Sequence, residues 1–293
     1  MELIDGKALA LQIQSELKDQ VEAYTLTGKR PPHLVAVLVG ENPASRSYVR
    51  NKIRSCERVG YRSTLHHLEE DTSQDALLAL IDQLNKDKEV DGFIIQLPLP
   101  RHIDPTAVIL AIAPEKDVDG FHPTNFGRMT QGLSAYHPAT PLGIMEMLRR
   151  YNIDTSGKDC VVLGRSNIVG RPISIMLSSK GNPGNATVTV LHSKSKDISS
   201  RCAQADIIIA AIGIPNFVKS NMVKPGAVII DVGINRVEDA SKKSGYRLVG
   251  DVDFEAVAEK CSFITPVPGG VGPMTVTALL LNTWKSYTGE VYG

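Results

Sequence analysis

Two consecutive α/β units, each built on a parallel sheet, are what this 293-residue sequence predicts, and three observations carry the prediction. Short runs of aliphatic and β-branched residues alternate with helical periodicities, the order that gives parallel sheets covered by helices. A loop-rich stretch from 98 to 140 separates one such series from the next. The second series opens on "VVLGRSNIVGRP" at 161–172, a strand that runs through glycine into a helix in the manner of a nucleotide-binding sheet.

The elements follow in order. "MELIDGKALALQIQSELKDQ" reads as an amphipathic helix rather than a signal peptide. "HLVAVLVG" at 33–40 is apolar throughout, as a strand buried on both faces must be. Residues 42–60 form a helix with Asn42 as cap and Pro43 in its first turn. "STLHHLE" is a strand, "SQDALLALIDQLNK" a helix and "VDGFIIQLPLP" a strand, completing a βαβαβ order. "TPLGIMEMLRRYN" then carries the chain into the second unit, placing a boundary near 140. There the strands are "CVVLG" (160–164), "TVTVLH" (187–192), "DIIIAAIG" (206–213), "AVIIDVGI" (227–234) and "FITPVPG" from 263, with a helix beginning at "RPISIMLSSK". The last helix, "TVTALLLNTWKSY", is apolar enough to pack back on the first domain. The expected domains are therefore 1–140 plus 273–293, and 141–272.

Composition excludes several classes. Lysine plus arginine equals aspartate plus glutamate at 32 each, so no net field would hold nucleic acid or an anionic membrane surface. No run of about 18 apolar residues occurs. Cys56, Cys160, Cys202 and Cys261 form no Cys-x-x-Cys pair, which argues against a disulfide framework or zinc site and for a reducing, cytoplasmic setting. His66 and His67 are adjacent on a strand and point to opposite faces, so no catalytic metal is expected.

Six stretches invite chemistry. On the helix at 42–60, Tyr48 and Lys52 share a face with Ser45 and Cys56, while Arg46, Arg50, Arg54 and Arg58 lie elsewhere. Lys52 is either a snorkelling surface lysine or a residue set apart from the other charges for a purpose. In "GRSNIVG", Ser166 takes the second glycine position of a dinucleotide loop and Gly170 comes one residue late, which fits a structural turn or a cofactor loop. The following strand ends in His192, Ser193 and Lys194 where an NAD-preferring fold would carry an acid. With Arg165 this cationic, hydroxyl-rich set suits a 2′-phosphate and favours NADP. Gln96 ends an apolar strand and needs a specific partner, whether a loop backbone or a functional group. Asp117 and Asp119 flank a turn at Gly120, either as turn formers or as working acids. "PVPGGVGPMT" at 266–275 allows a flat ligand close to the backbone or makes a rigid turn.

In this order the pieces resemble the bifunctional methylenetetrahydrofolate dehydrogenase/methenyltetrahydrofolate cyclohydrolase family. "VGENPASRSYVRNK", "GFIIQLPLP", "PEKDVDGFHPTNFGRM", "GRSNIVGRP", "HSKSKD", "DVGINR", "LVGDVDF" and "PVPGGVGPMT" are similar to its signatures, in register over nearly the whole chain. Ala139, where the family commonly has cysteine, and Ser195, where threonine is common, depart from it. The resemblance implies two α/β domains, the second a Rossmann-like sheet binding NADP, with a folate cleft between them. It implies a cytoplasmic homodimer acting on tetrahydrofolate derivatives in one-carbon metabolism and supplying purine biosynthesis. Tyr48, Lys52, Gln96 and Asp119 would be catalytic and line the folate site with Ile95 and Leu97, Tyr48 stacking on the pterin and Asp119 binding its polar edge. Pro268, Gly269, Gly270, Val271 and Gly272 would border that site. Gly164, Arg165, Ser166, Ser193 and Ile234 match the NADP contacts.

The implied reaction is NADP-dependent oxidation of 5,10-methylenetetrahydrofolate to the methenyl cation, then its hydrolysis to 10-formyltetrahydrofolate. Placement serves the first step. The second needs proton transfer, and a solvated lysine, with a pKa of about 10.4, is almost wholly charged at neutral pH. The resemblance thus implies a Lys52 withdrawn from water beside Tyr48 and held by Gln96. A binding protein without turnover, or a dehydrogenase alone, would have no use for Lys52 and Gln96 together.

Overall fold

The computed structural model describes residues 1–242 and 245–292. In chain order its elements are β1 (Glu2–Leu3), α1 (Gly6–Leu26), β2 (His33–Val39), α2 (Pro43–Val59), β3 (Arg62–Leu68), α3 (Gln74–Lys86) and β4 (Gly92–Ile95). Three helices follow, α4 (Pro105–Ala111), α5 (Pro123–Thr130) and α6 (Ala139–Arg150). Then come β5 (Asp159–Leu163), α7 (Gly170–Ser178), β6 (Thr187–Leu191), α8 (Ile198–Cys202), β7 (Ile207–Ala210) and β8 (Val228–Asp231). The chain ends with β9 (Asn235–Glu238), β10 (Tyr246–Val249), α9 (Phe254–Ala258), β11 (Phe263–Ile264) and α10 (Val271–Tyr287). It divides into two units, one of residues 11–139 and 276–293, the other of residues 1–10 and 140–275.

In the unit of residues 11–139 and 276–293, β3-β2-β4 form a parallel sheet with β2 in the centre. All seven β2 residues are buried, as its unbroken apolar run requires, whereas β3 at the edge alternates in exposure. Phe93 on β4 packs with Val37, Leu77 and Ile81 in the core. Helix α2 is specified at both ends. The Asn42 side chain accepts hydrogen bonds from Ala44 N and Ser45 N, Pro43 opens the first turn, and Gly60 closes the helix at φ 79°. Beyond that cap, the buried Tyr61 hydroxyl donates to Leu280 O at 3.0 Å, while Arg58 donates to Gln14, which donates in turn to Thr277. Helix α2 is thereby tied to α1 and α10.

The other unit holds a parallel sheet in the order β1-β11-β8-β7-β5-β6, with β9 and β10 as a separate antiparallel pair. From β5 the chain first pairs β6 on one side and then crosses to β7 on the other, so strand order reverses at β5. Ligands of such sheets lie outside the carboxyl ends of the strands at that reversal. The core here packs Leu163, Ile208, Ile229 and Val257.

Four expectations need correction. Residues 1–10 fall with the nucleotide-type sheet rather than with the first series, because Glu2 and Leu3 pair with Phe263 and Ile264 and add an edge strand. The opening helix begins only at Gly6, where Asp5 accepts from Ala8 N at 2.9 Å and a Cβ would lie 1.9 Å from Gly270 O. The stretch 98–140 contains α4 and α5, each started by a capping side chain, Asp104 or His122, followed by proline. Finally, β7 stops at Ala210 and β8 at Asp231, ahead of Gly213 and Ile234 where the apolar runs end.

Tyr61→Phe is expected to lower the unfolding free energy by about 1–3 kcal/mol, because Leu280 O loses its buried donor. Urea midpoints of the two proteins check this, and an unchanged midpoint would show that the tether of α2 to α10 carries no weight.

Candidate functional site

Each unit gathers one set of the residues singled out from the sequence. On α2, Lys52 is 9% exposed, on the same buried stripe as Ser45, Val49 and Cys56. Its Nζ donates to Gln96 Oε1 at 3.3 Å, and Gln96 Nε2 donates to Leu97 O at 2.7 Å. The second bond orients the amide, so that its oxygen rather than its nitrogen meets the amine. Gln96 is the first residue past β4, and its own N–H continues the ladder to Val37 O at 2.9 Å. Lys52 is withdrawn from water, as expected. Tyr48, one turn earlier on α2, is 39% exposed. Ile95 is buried in the core cluster, while Leu97 is partly exposed ahead of a cis bond to Pro98.

The turn after α4 separates its two acids. Asp117 is buried and accepts from Phe121 N at 3.2 Å, His122 N at 2.8 Å and Asn125 Nδ2 at 2.9 Å. Burial pushes its carboxyl up to about 7, against the pull of these three donors. Burial raises the pKa of Asp119 too, and the charge of Lys52 lowers it in part. Its backbone is pinned on both sides: Val118 O accepts from Asn282 Nδ2 at 2.8 Å, and Asp119 O accepts from Ala139 N at 3.3 Å. At Gly120, φ is 72° and a Cβ would lie 2.5 Å from His137 C, so only glycine turns the chain here. Asp117 is the turn former, and Asp119 is the acid whose pKa registers the Lys52 charge. Both acids line a concavity with Phe93, Leu97, Val108 and Phe121.

In the other unit, β5 ends at Leu163 and the chain turns at Gly164, φ 115°, where a Cβ would sit 2.1 Å from Ala211 O. Gly170 at the start of α7 is as tightly placed, since its Cβ would be 2.3 Å from Gly164 O. These glycines let the turn approach both the exit of β7 and its own helix. Ser166 Oγ accepts from Val169 N and Gly170 N at 3.2 and 3.3 Å, so the serine caps the helix from the position where glycine is usual. After β6, His192 N donates to Ser195 Oγ and Lys194 N to His192 Nδ1, which shapes a turn that leaves Ser193 and Lys194 exposed. Arg165 is exposed as well.

Ile234, after β8, is 46% exposed, and a Cβ on Gly272 would lie 3.7 Å from its Cδ1. The turn before α10 is tight: Gly270 N donates to Pro266 O, Lys7 N donates to Gly269 O, and the Val267–Pro268 bond is cis. Val271 and Gly272 belong to the first turn of α10. Sequence reading missed Ile168 and Ile214, exposed like Ile234 beyond the ends of β5 and β7. The signal was an isoleucine directly after the glycine that ends a strand run, in "AIGIP". Among the described residues no group of three or more His, Cys, Asp or Glu side chains could hold a metal ion.

Comparison with known proteins names one family for both parts of the chain. The family model for the tetrahydrofolate dehydrogenase/cyclohydrolase catalytic domain matches residues 4–119, and that for the NAD(P)-binding domain of the same family matches residues 138–291. The chain is 58% identical over 292 residues to the bifunctional protein FolD of Bacteroides fragilis, covering 100% of both chains. It superposes on the bifunctional methylenetetrahydrofolate dehydrogenase/cyclohydrolase of Campylobacter jejuni with a TM-score of 0.93 at 50% identity, covering 99% of each chain. For the Trypanosoma brucei dehydrogenase-cyclohydrolase, solved with NADP and an inhibitor, the TM-score is 0.92 at 39% identity, covering 99% of this chain and 98% of that one.

The acid at 117 makes a prediction about pH. Its pKa is about 7 when folded against about 3.9 in an unfolded chain, so the folded state keeps a proton that the unfolded state releases. The stability this contributes is complete below about pH 4 and lost as pH rises through about 7. Between about pH 4.5 and about pH 8, the fall in urea midpoint is expected to be smaller in Asp117→Asn than in the wild type. An equal fall would assign the titration to other groups.

Proposed function

We infer the roles of single residues from one premise: this chain belongs to the tetrahydrofolate dehydrogenase/cyclohydrolase family. It is a bifunctional NADP-dependent enzyme of one-carbon metabolism, oxidising methylenetetrahydrofolate and hydrolysing the methenyl product. The observation that carries the assignment of roles is the buried Lys52 amine held by Gln96 Oε1. We assign folate chemistry to the unit of residues 11–139 and 276–293, and cofactor binding to the unit of residues 1–10 and 140–275. A homodimer in the cytoplasm completes the reading, the compartment supported by four buried cysteines, all free thiols.

In the first step, hydride leaves the carbon bridging two folate nitrogens. The Tyr48 ring stacks on the pterin, and the Asp119 carboxylate accepts from the N–H groups of its polar edge, so both fix the substrate. The backbone of Leu97 borders the folate, with Ile95 seating Gln96 from beneath.

In the second step, a water oxygen bonds to the methenyl carbon and gives one proton to Lys52 Nζ, which passes it to the nitrogen released as one carbon–nitrogen bond breaks, while the hydroxyl left on the carbon loses its proton to solvent to become the formyl carbonyl. The charge formed on Nζ is met by Gln96 Oε1 and Asp119. A dehydrogenase without the hydrolytic step would need neither the amine nor its glutamine.

The second unit's donor set fits a phosphorylated dinucleotide. The amide end of α7 behind Gly164 and Ser166 suits a pyrophosphate, and the exposed Arg165, Ser193 and Lys194 suit a 2′-phosphate. NADP, when bound, supplies the hydride acceptor, and Ile234 offers it an apolar wall.

Lys52→Met is expected to abolish the hydrolytic activity while hydride transfer remains measurable, because methionine keeps the apolar stem but moves no proton. The methenyl chromophore then accumulates, and its decay at the wild-type rate would overturn the role given to Lys52. Arg165→Ala is expected to raise the KM for NADP roughly 10-fold to 100-fold and the KM for NAD far less. Equal changes for the two cofactors would make Arg165 a structural residue.

A further inference from the structure

Two buried carboxylates, one the last residue of β8 and the other two residues past β10, take no part in the chemistry above. Asp231 is 3% exposed and Asp251 0%. Asp231 accepts from Gly233 N at 3.0 Å, Asp251 N at 2.9 Å and Val252 N at 3.0 Å. Asp251 Oδ2 accepts from Ile212 N and Gly213 N, each at 2.8 Å, and its Oδ1 accepts from Asn235 Nδ2 at 2.9 Å. Glycines make room for both. A Cβ at position 250 would lie 1.7 Å from Asp231 Oδ2, and one at position 233 would lie 2.2 Å from Asp251 Oδ1. The sequences "DVGIN" and "VGDV" are thus one interlocked device, each aspartate filling the space that a glycine in the other leaves.

The place of this device in the sheet indicates what it serves. The strands run β6-β5-β7-β8, with the dinucleotide turn after β5 and the Ser193–Lys194 turn after β6. On the reading proposed above, the pyrophosphate lies at the β5 turn and the 2′-phosphate on the β6 side. The exits of β7 and β8 are left for the nicotinamide half. Those exits carry the exposed Ile214 and Ile234, and they are the two segments Asp251 binds together, through Ile212 and Gly213 on one and Asn235 on the other. The β7 exit also abuts Gly164 through Ala211 O.

We propose that Asp251 is a positioning residue for the dinucleotide site, a buried acceptor that locks the β7 and β8 exit loops in one arrangement and so sets where the nicotinamide half rests. It touches no reacting atom. This rests on the cofactor assignment above, and the test separates the two. If the wild type reduces no NADP with methylenetetrahydrofolate, the assignment fails before any variant is made.

The test uses the full-length enzyme and three variants, Asp251→Asn, Asn235→Asp and the two combined. Dehydrogenase KM and kcat are measured for NADP, and cyclohydrolase activity is measured on supplied methenyltetrahydrofolate without cofactor. In Asp251→Asn an amide N–H2 must face either two N–H donors or the Asn235 amide. In Asn235→Asp a second carboxylate faces the first. Each single change is expected to raise the KM for NADP about 10-fold or more, with cyclohydrolase activity within about twofold of wild type. The combined variant exchanges donor and acceptor between the two positions, and its KM should return to within about threefold of wild type. Should Asp251→Asn not fold, Asn235→Ala removes one bond and spares the two backbone ones, and the same KM rise without loss of cyclohydrolase activity is expected. An unchanged KM for NADP, a parallel loss of both activities, or no recovery in the combined variant would each overturn the proposal.

Discussion

An amine drawn out of water needs an acceptor, and the bond from Lys52 Nζ to Gln96 Oε1 supplies it across two elements far apart in sequence. Much of the surrounding unit can be understood as what that bond requires. The amide must be turned with its oxygen toward the amine, which the bond from its nitrogen to Leu97 O achieves. The strand must end at Ile95, so that one more residue of ladder, Gln96 N to Val37 O, leaves the glutamine side chain at the carboxyl edge of the sheet. Helix α2 must hold its rotation, since a turn of one residue about its axis would carry Lys52 off the buried stripe. Capping at Asn42 and Gly60 and the anchors at Arg58 and Tyr61 hold it.

The same logic of acceptors explains why acids cluster in both units without acting alike. Asp117 and Asp231 each collect three N–H donors, and burial pushes each carboxyl up to about 7 despite them. Hydrogen bonds to a charged group contribute about 1.5–3 kcal/mol each, which offsets much of the cost of burial and directs the chain locally into a turn. Asp119, two residues past Asp117, is set instead against the charge of Lys52. A carboxylate whose oxygens are already taken by N–H donors shapes the loop.

Legibility in the sequence followed the range of the interaction. The strands and long helices were readable because periodicity is local, and the Lys52 face of α2 was visible from spacing alone. Gln96 could be flagged as a polar residue ending an apolar strand, though not which end of its amide would meet the lysine. The edge strand at Glu2–Leu3 could not be seen, because two residues have no period and their partner lies at 263–264. Helices α4 and α5 were passed over although Asp104-Pro105 and His122-Pro123 are capping signals, because proline and glycine density outweighed them. The separate tasks of Asp117 and Asp119 were closed to sequence reading, since they depend on which N–H groups the folded turn aims at each carboxylate.

The glycines mark where backbone packs on backbone, and that differs between the two sites. At Lys52 and Gln96 the working groups are side chains on a helix and at a strand end, held by caps and ladder bonds, and the glycine nearest in role, Gly120, only turns a loop against His137. Around Gly164 the working surface is the backbone itself. There Gly164 and Gly170 bring a turn, a helix start and the exit of β7 within contact, and Gly233 and Gly250 make the space two carboxylates fill. A site made of side chains tolerates variation in its supports as long as rotamers are kept. One made of backbone does not, because a single added methyl collides with a carbonyl or carboxylate oxygen at about 2 Å and moves the whole turn. The NAD(P)-binding part of the chain is therefore built mainly on glycine and aspartate, and the unit around Lys52 on side chains held by caps and ladder bonds.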